Sequence, residues 1–193
     1  MHQEVMRCIL SRRSIRRFAP DQIDDDQLNA ILEAATWAPS GSNNQTWLFT
    51  AVQNKDILAQ INETLRQAFL HWTPDDDYPA KRKAVVNARN EAHSYFYHAP
   101  TLIIASNAPK YQNGMADCAA ALQNIFLAAA SLGLGTCWIN QPRWLTDDPP
   151  LRKLLASIGL PEQHIIYGAA AVGRPAHTPP APERKEGTVN IVR

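Results

Sequence analysis

"MADCAAALQNIFLAAASLGLGTCWIN", residues 115–140, is the stretch on which the fold turns. From Met115 to Leu132 the chain has helical composition, but Ala116, Ala119, Ala120, Leu122, Ile125, Phe126, Ala129 and Leu132 are too many apolar residues for one face. Such a helix is expected to be covered on several sides. It is at the short limit for a membrane span, and Asp117, Gln123 and Asn124 interrupt it, so it reads as a buried central helix. Two glycines follow, and then "GTCWIN" (135–140) has the β-branched and aromatic character of a strand.

Outward from this unit, helices and strands alternate without an internal repeat. Helices are expected over 2–10, 24–38, 55–70, 80–97 and 150–158. The second is the best signed. Ile23 and Leu28 form a staple pair, Asp24 is the N-cap and Gln27 its capping-box partner, and Pro39 ends it. Strands are expected at "WLFTAV" (47–52), "TLIIAS" (101–106), "HIIYGAAAVG" (164–173) and "TVNIV" (188–192), the last after a Pro-rich extended run from Pro175 to Pro182. The pattern predicts an α/β or α+β sandwich around one sheet. The 193 residues fit one domain, spanning 1–193.

Composition narrows the function. The chain is 45% hydrophobic and 19% charged with a net charge of +1. A balance of that kind disfavours broad binding to nucleic-acid phosphates. Cys8, Cys118 and Cys137 are scattered, and the six histidines show no ligand spacing. A disulfide framework or a metal site is therefore not expected. Reduced thiols and an N-terminal segment without a signal-peptide pattern suit a cytoplasmic protein. No GxSxG, HExxH, P-loop or strand-linked GxGxxG is present. Cys137 lies in an apolar run, where a buried structural thiol is the commoner case.

Two segments remain. "SRRSIRRF" (11–18) places Arg12, Arg13, Arg16 and Arg17 within six residues and no acid among them. It is either a solvated basic face or a site for an anion, with nucleic acid, a membrane surface and a bound phosphate as candidates. "APSGSNNQTW" (38–47) is a turn-rich loop by composition. In a sharper reading, Ser40, Asn43 and Gln45 supply donors and acceptors for a heteroaromatic edge or a polyol.

Taken together, these segments resemble the nitroreductase family of flavoproteins. "RRSIRRF" is similar to the family's N-terminal flavin signature, and "AATWAPSGSNNQTWLF" to its second. "DCAAALQNIFLAAASLGLGTCWIN" is similar to its central helix and flavin-facing strand, and "AAVGRP" with "ERK" to its C-terminal portion. The resemblance covers nearly the whole chain, in order. It departs at 56–99, which matches no signature, at Thr46 where the family often has Pro, and at "ERKEG", which lacks the Pro common after the Lys.

The resemblance implies an α+β fold with a central mixed, mainly antiparallel sheet flanked by helices and an exchanged C-terminal arm. It implies FMN as bound cofactor and NADH or NADPH as transient reductant. Nitroaromatics, quinones or related electrophiles would be reduced through flavin N5 by a ping-pong scheme, with no catalytic side chain. On the family pattern Arg12 and Arg16 lie near the phosphate and ribityl chain, and Arg13 and Ser14 near the polar edge of the ring. Pro39, Ser40, Asn43 and Gln45 approach from the second subunit of a homodimer. Trp138, Ile139 and Asn140 pass along the ring, and Arg184 with Lys185 closes on the phosphate. Arg17 has no family role to carry over. The same fold also serves reductive dehalogenases and flavin-cleaving enzymes, and a flavin-binding protein without turnover is a further alternative. Neither a nucleic-acid nor a membrane partner is implied.

Overall fold

The computed structural model describes residues 2–193. Eleven elements follow in order: α1 (His2–Ser11), α2 (Asp25–Thr36), β1 (Trp47–Val52), α3 (Lys55–His71), α4 (Pro79–Asn87), β2 (Thr101–Asn107), α5 (Gly114–Ser131), β3 (Gly135–Ile139), α6 (Gln141–Trp144), α7 (Pro149–Ser157) and β4 (Ile165–Gly173). The strands form one sheet in the order β1-β2-β4-β3, with every neighbouring pair antiparallel. The single parallel feature is a bridge between Ser14 and Thr136. This is the expected α+β sandwich.

β2 is buried along its whole length. Its side chains therefore divide between two cores, as the two-residue period of a strand requires. Leu102 and Ile104 join Ile166, Ala169 and Ala171 of β4 and Cys137 and Ile139 of β3 against α3, α4 and α7. Ile103 and Ala105 join Ala170 and Val172 against α2 and α5. At Gly168 a methyl group would meet the Trp138 ring at 2.7 Å and Leu122 at 3.1 Å.

The capping box of α2 is present. Gln27 N donates to Asp24 Oδ1 at 2.8 Å, and Asp24 N to Gln27 Oε1 at 3.3 Å. Asn124, one of the polar interruptions of α5, donates to Ala34 O at 2.9 Å and so ties α5 to α2.

Three expectations change. The helix predicted over 80–97 stops at Asn87. Polar side chains offer the main chain other partners there: Asn90 accepts from Ala92 N, and Asn62 accepts from Tyr95 N and donates to His93 O. Tyr97 and His98 then take left-handed φ values of 60° and 55°. Residues 188–192 form no strand within the chain, because a strand needs a neighbour and this segment has none here. α5 is covered less fully than expected. Leu122, Ile125, Phe126 and Ala129 are buried, but Ala116 is exposed and Leu132 is 40% exposed. Within one chain α5 meets the sheet, α2 and α1, and its remaining exposure lies at Ala116, Gln123, Ser131 and Leu132.

Replacing the fully buried Ile104 with Ala should cost about 2–5 kcal/mol of stability, because the central strand cannot collapse onto the void. The denaturant midpoint should fall with an unchanged m-value. An unshifted midpoint would show that β2 is not the centre of the core.

Candidate functional site

The arginine segment begins where α1 ends, with Arg12 N donating to Cys8 O at 2.9 Å. Ile15, 4% exposed, anchors it from below. Its N–H donates to Thr136 O at 2.8 Å, which lays the segment along the free edge of β3. Gly135 permits this contact, since a Cβ there would stand 2.7 Å from Ile15 Cγ1.

Each arginine has a different setting. Arg12 lies over the Phe126 ring at 5.9 Å, and Arg16 over Tyr97 at 6.0 Å. Arg13 Nη1 donates to the carbonyls of Leu10 and Arg12 and so closes the C-terminal end of α1. Arg17 holds the start of the tail, its carbonyl accepting from Ala176 N at 2.9 Å. The ion pairs among the described residues join Arg66 to Glu63, Lys81 to Asp75 and Asp76, Arg82 to Asp77, and Arg152 to Asp147. None involves the four arginines. The segment therefore carries four guanidiniums with no carboxylate paired to them among the described residues, chemistry suited to a phosphate.

β3 carries the next group. Ile139 is 1% exposed, so only its main chain can meet a ligand. Trp138 Nε1 donates to Asn140 Oδ1 at 2.7 Å, which fixes both side chains at the end of the strand. Cys137 lies at 3% exposure with its Sγ toward Trp138 O. Burial pushes its thiol up, against the pull of Arg16 and Arg12, which suits a structural residue rather than a nucleophile.

The loop after α2 is a separate, ordered unit. Ser42, Asn43 and Gln45 all have left-handed φ values of 53°, 54° and 49°. Its own side chains stabilise this costly backbone. Gln45 N donates to Ser40 Oγ at 3.1 Å and Gln45 Nε2 to Asn43 Oδ1 at 2.9 Å. Asp117, 5% exposed in the first turn of α5, accepts from Gly41 N at 3.2 and 3.3 Å. Tyr111 Oη lies 2.9 Å from Asp117 Oδ2 and 3.0 Å from Gly41 O. A Cβ on Gly41 would stand 2.0 Å from Asn113 Nδ2 and 2.9 Å from Tyr111 Oη, so those side chains would have to move.

Within one chain, then, the structure joins Arg12, Arg13, Ser14 and Arg16 to β3 with its Trp138, Ile139 and Asn140. No hydrogen bond connects these to Pro39, Ser40, Asn43 or Gln45 among the described residues. Arg184 and Lys185 lie on the exposed tail, where Lys185 O accepts from Thr188 Oγ1 at 3.4 Å. Asp117 and Tyr111 escaped the sequence reading as loop anchors. An acid inside the most apolar window was the available signal for Asp117; Tyr111 had none.

The nitroreductase family model matches residues 9–174, and the chain belongs to that family. A nitroreductase from Bacteroides fragilis, solved with bound FMN, is 43% identical, superimposes with a TM-score of 0.89, and is matched over 98% of this chain and 99% of that one. A nitroreductase from Desulfitobacterium hafniense, also solved with FMN, is 25% identical with a TM-score of 0.84 over the whole of both chains. A protein of Archaeoglobus fulgidus named provisionally as an NADH dehydrogenase/NAD(P)H nitroreductase is 30% identical over 174 residues, 90% of this chain and 86% of that protein.

Replacing Asp117 with Ala should leave Gly41 N–H without its acceptor and Tyr111 Oη with Gly41 O alone, and cost about 1–3 kcal/mol. Hydrogen exchange at the Gly41 amide should accelerate more than exchange in β2. Equal exchange in wild type and variant would remove Asp117 as the anchor.

Proposed function

We propose that the chain is an FMN-dependent oxidoreductase that consumes NADH or NADPH and reduces nitroaromatics, quinones or related electrophiles. The observation that carries this reading is the row of arginines without acidic partners, fixed by main-chain bonds to the free edge of β3. Two relatives at 43% and 25% identity were solved with FMN, which supports the same cofactor here.

In this reading Arg12 and Arg16 hold the phosphate and ribityl chain through charge-assisted bonds that guanidinium makes better than ammonium. Arg13 and Ser14 serve the polar edge of the ring, and the main chain of Trp138, Ile139 and Asn140 runs beside it. FMN held there would supply two-electron chemistry between a nicotinamide and an electrophilic acceptor. The protein's part is to bind, orient and tune. Guanidinium charge stabilises negative charge on a reduced cofactor, and the buried Ile139 and Cys137 keep the strand rigid beneath it.

We infer a homodimer in the cytoplasm, with Pro39, Ser40, Asn43 and Gln45 of one subunit completing the site of the other. Exposed apolar residues support this assembly. In α1, Val5, Met6, Ile9 and Leu10 are 43–66% exposed, and Trp37 beside the Ser40 loop is 79% exposed. A patch of this kind marks an interface. The tail also leaves Val189, Ile191 and Val192 uncovered. Their β-branched character suits strand addition at the open edge of a partner's sheet. Arg184 and Lys185 travel on this arm, so cofactor retention and assembly are coupled.

The purified protein should be yellow, and NADH or NADPH should bleach it anaerobically. A colourless protein that takes up no added FMN would sink this reading. Arg12→Ala should lower FMN affinity by tenfold or more, a loss of about 2–5 kcal/mol, while the fold persists; fluorescence titration of FMN reads it. Deleting 187–193 should lower both dimer content by sedimentation and FMN occupancy. A truncated chain that stays dimeric and fully loaded would disprove the coupling.

A further inference from the structure

A cavity of about 570 Å3 opens where the arginine segment meets the turns before β2. Arg16, Arg17, His93 and His98 line it, and no carboxylate does. Its walls are fixed by the main chain rather than by mobile side chains. His98 N donates to the buried Ser94 Oγ at 2.9 Å, and Tyr97 N to Ser94 O at 3.2 Å. These bonds hold Tyr97 and His98 in two consecutive left-handed conformations. Residues other than glycine adopt such a pair only where the surroundings impose it. Across the cavity, the Ala176–Arg17 bond holds the other wall.

The chemistry of the lining is one-sided. Arg16 rests over the Tyr97 ring, while Arg17 makes no ion pair among the described residues. His93 shares a 3.2 Å hydrogen bond with the Asn87 amide and meets the Tyr95 ring edge-on at 4.9 Å, so its imidazole is held in place. Burial first, then the charges of His98 and Lys83, hold that imidazole below its ordinary pKa. Two arginines and two histidines lining one hollow with no acid among them match a carboxylate or a phosphate. A neutral molecule would lack the charge-assisted bonds they offer.

Arg16 belongs both to this cavity and to the segment assigned to FMN, so the two adjoin. We propose that the cavity receives a carboxylate or phosphate borne by the molecule that exchanges electrons with the flavin, and that it selects anionic donors or acceptors over neutral ones. Arg17 is then the specificity-determining residue, with His98 beside it. The inference rests on the flavin reading above for the identity of that molecule.

Equilibrium titration of the FMN-loaded dimer tests it, with NADP+ against NAD+ and para-nitrobenzoate against nitrobenzene. At least one anionic probe should bind more tightly than its counterpart at low ionic strength. Arg17→Ala should weaken that probe by about tenfold or more, as loss of a charged hydrogen bond does. Arg17→Lys should restore part of the loss, and His98→Gln should act in the same direction. A preference for NADP+ assigns the cavity to the phosphate of the reductant, and a preference for nitrobenzoate assigns it to the carboxylate of an acceptor. The proposal is overturned if neither anion is preferred, or if the preference survives Arg17→Ala. It is also overturned if Arg17→Ala releases FMN, because the cavity would then serve the flavin's own phosphate. Failure of the flavin reading is seen separately, as a protein that takes up no FMN before any probe is added.

Discussion

A single main-chain hydrogen bond, from Ile15 N to Thr136 O at 2.8 Å, is the contact on which the site depends. Four guanidiniums within six residues repel one another by an amount that grows as solvent is excluded. They stay together because the backbone beneath them is held, with Ile15 buried on one side and the edge of β3 on the other. Gly135 allows the two chains to approach this closely. The charge cluster is thus a property of a sheet edge. Cost and function are located together, as in sites where local strain is offset by the surrounding fold.

The loop proposed to complete the site follows a different logic. The loop 40–45 depends on one buried carboxylate, Asp117, placed in the first turn of the most apolar helix of the chain. A charged group in that position is stable only if its oxygens are met by donors. Gly41 N and Tyr111 Oη meet them. α5 therefore packs the core with Leu122, Ile125 and Phe126 and, at its N-terminal end, sets the conformation of a loop far from it in sequence.

Much of this was legible in the residues. The capping box at Asp24 and Gln27 marked the start of α2 to within a residue, because local hydrogen bonding decides it. The apolar runs of β2 and β4 showed their burial. The order of the arginine segment, the Ser40 loop and "CWIN" showed the family. Other features were hidden for physical reasons. The early end of α4 depends on Asn62, which reaches across from α3 to take the main chain of His93 and Tyr95, and no local pattern reports such a tertiary contact. Arg13 as the closing group of α1 depends on where that helix stops. The tail segment 188–192 has strand composition, but pairing belongs to a neighbour, and composition names no neighbour.

The strand order β1-β2-β4-β3 also has a consequence for how the chain is made. β3 has one strand neighbour, β4, which is the last strand in the sequence. The arginines are made before every strand of the sheet, yet the edge they rest on cannot exist until residue 173 has emerged. Non-local pairing of this kind is slow, and it leaves apolar strands waiting. In a nascent chain β1 and β2 can pair early, with the edge that later receives β4 bare. The proposed cofactor surface is among the last parts of the sheet to form, which ties its assembly to the synthesis of β4.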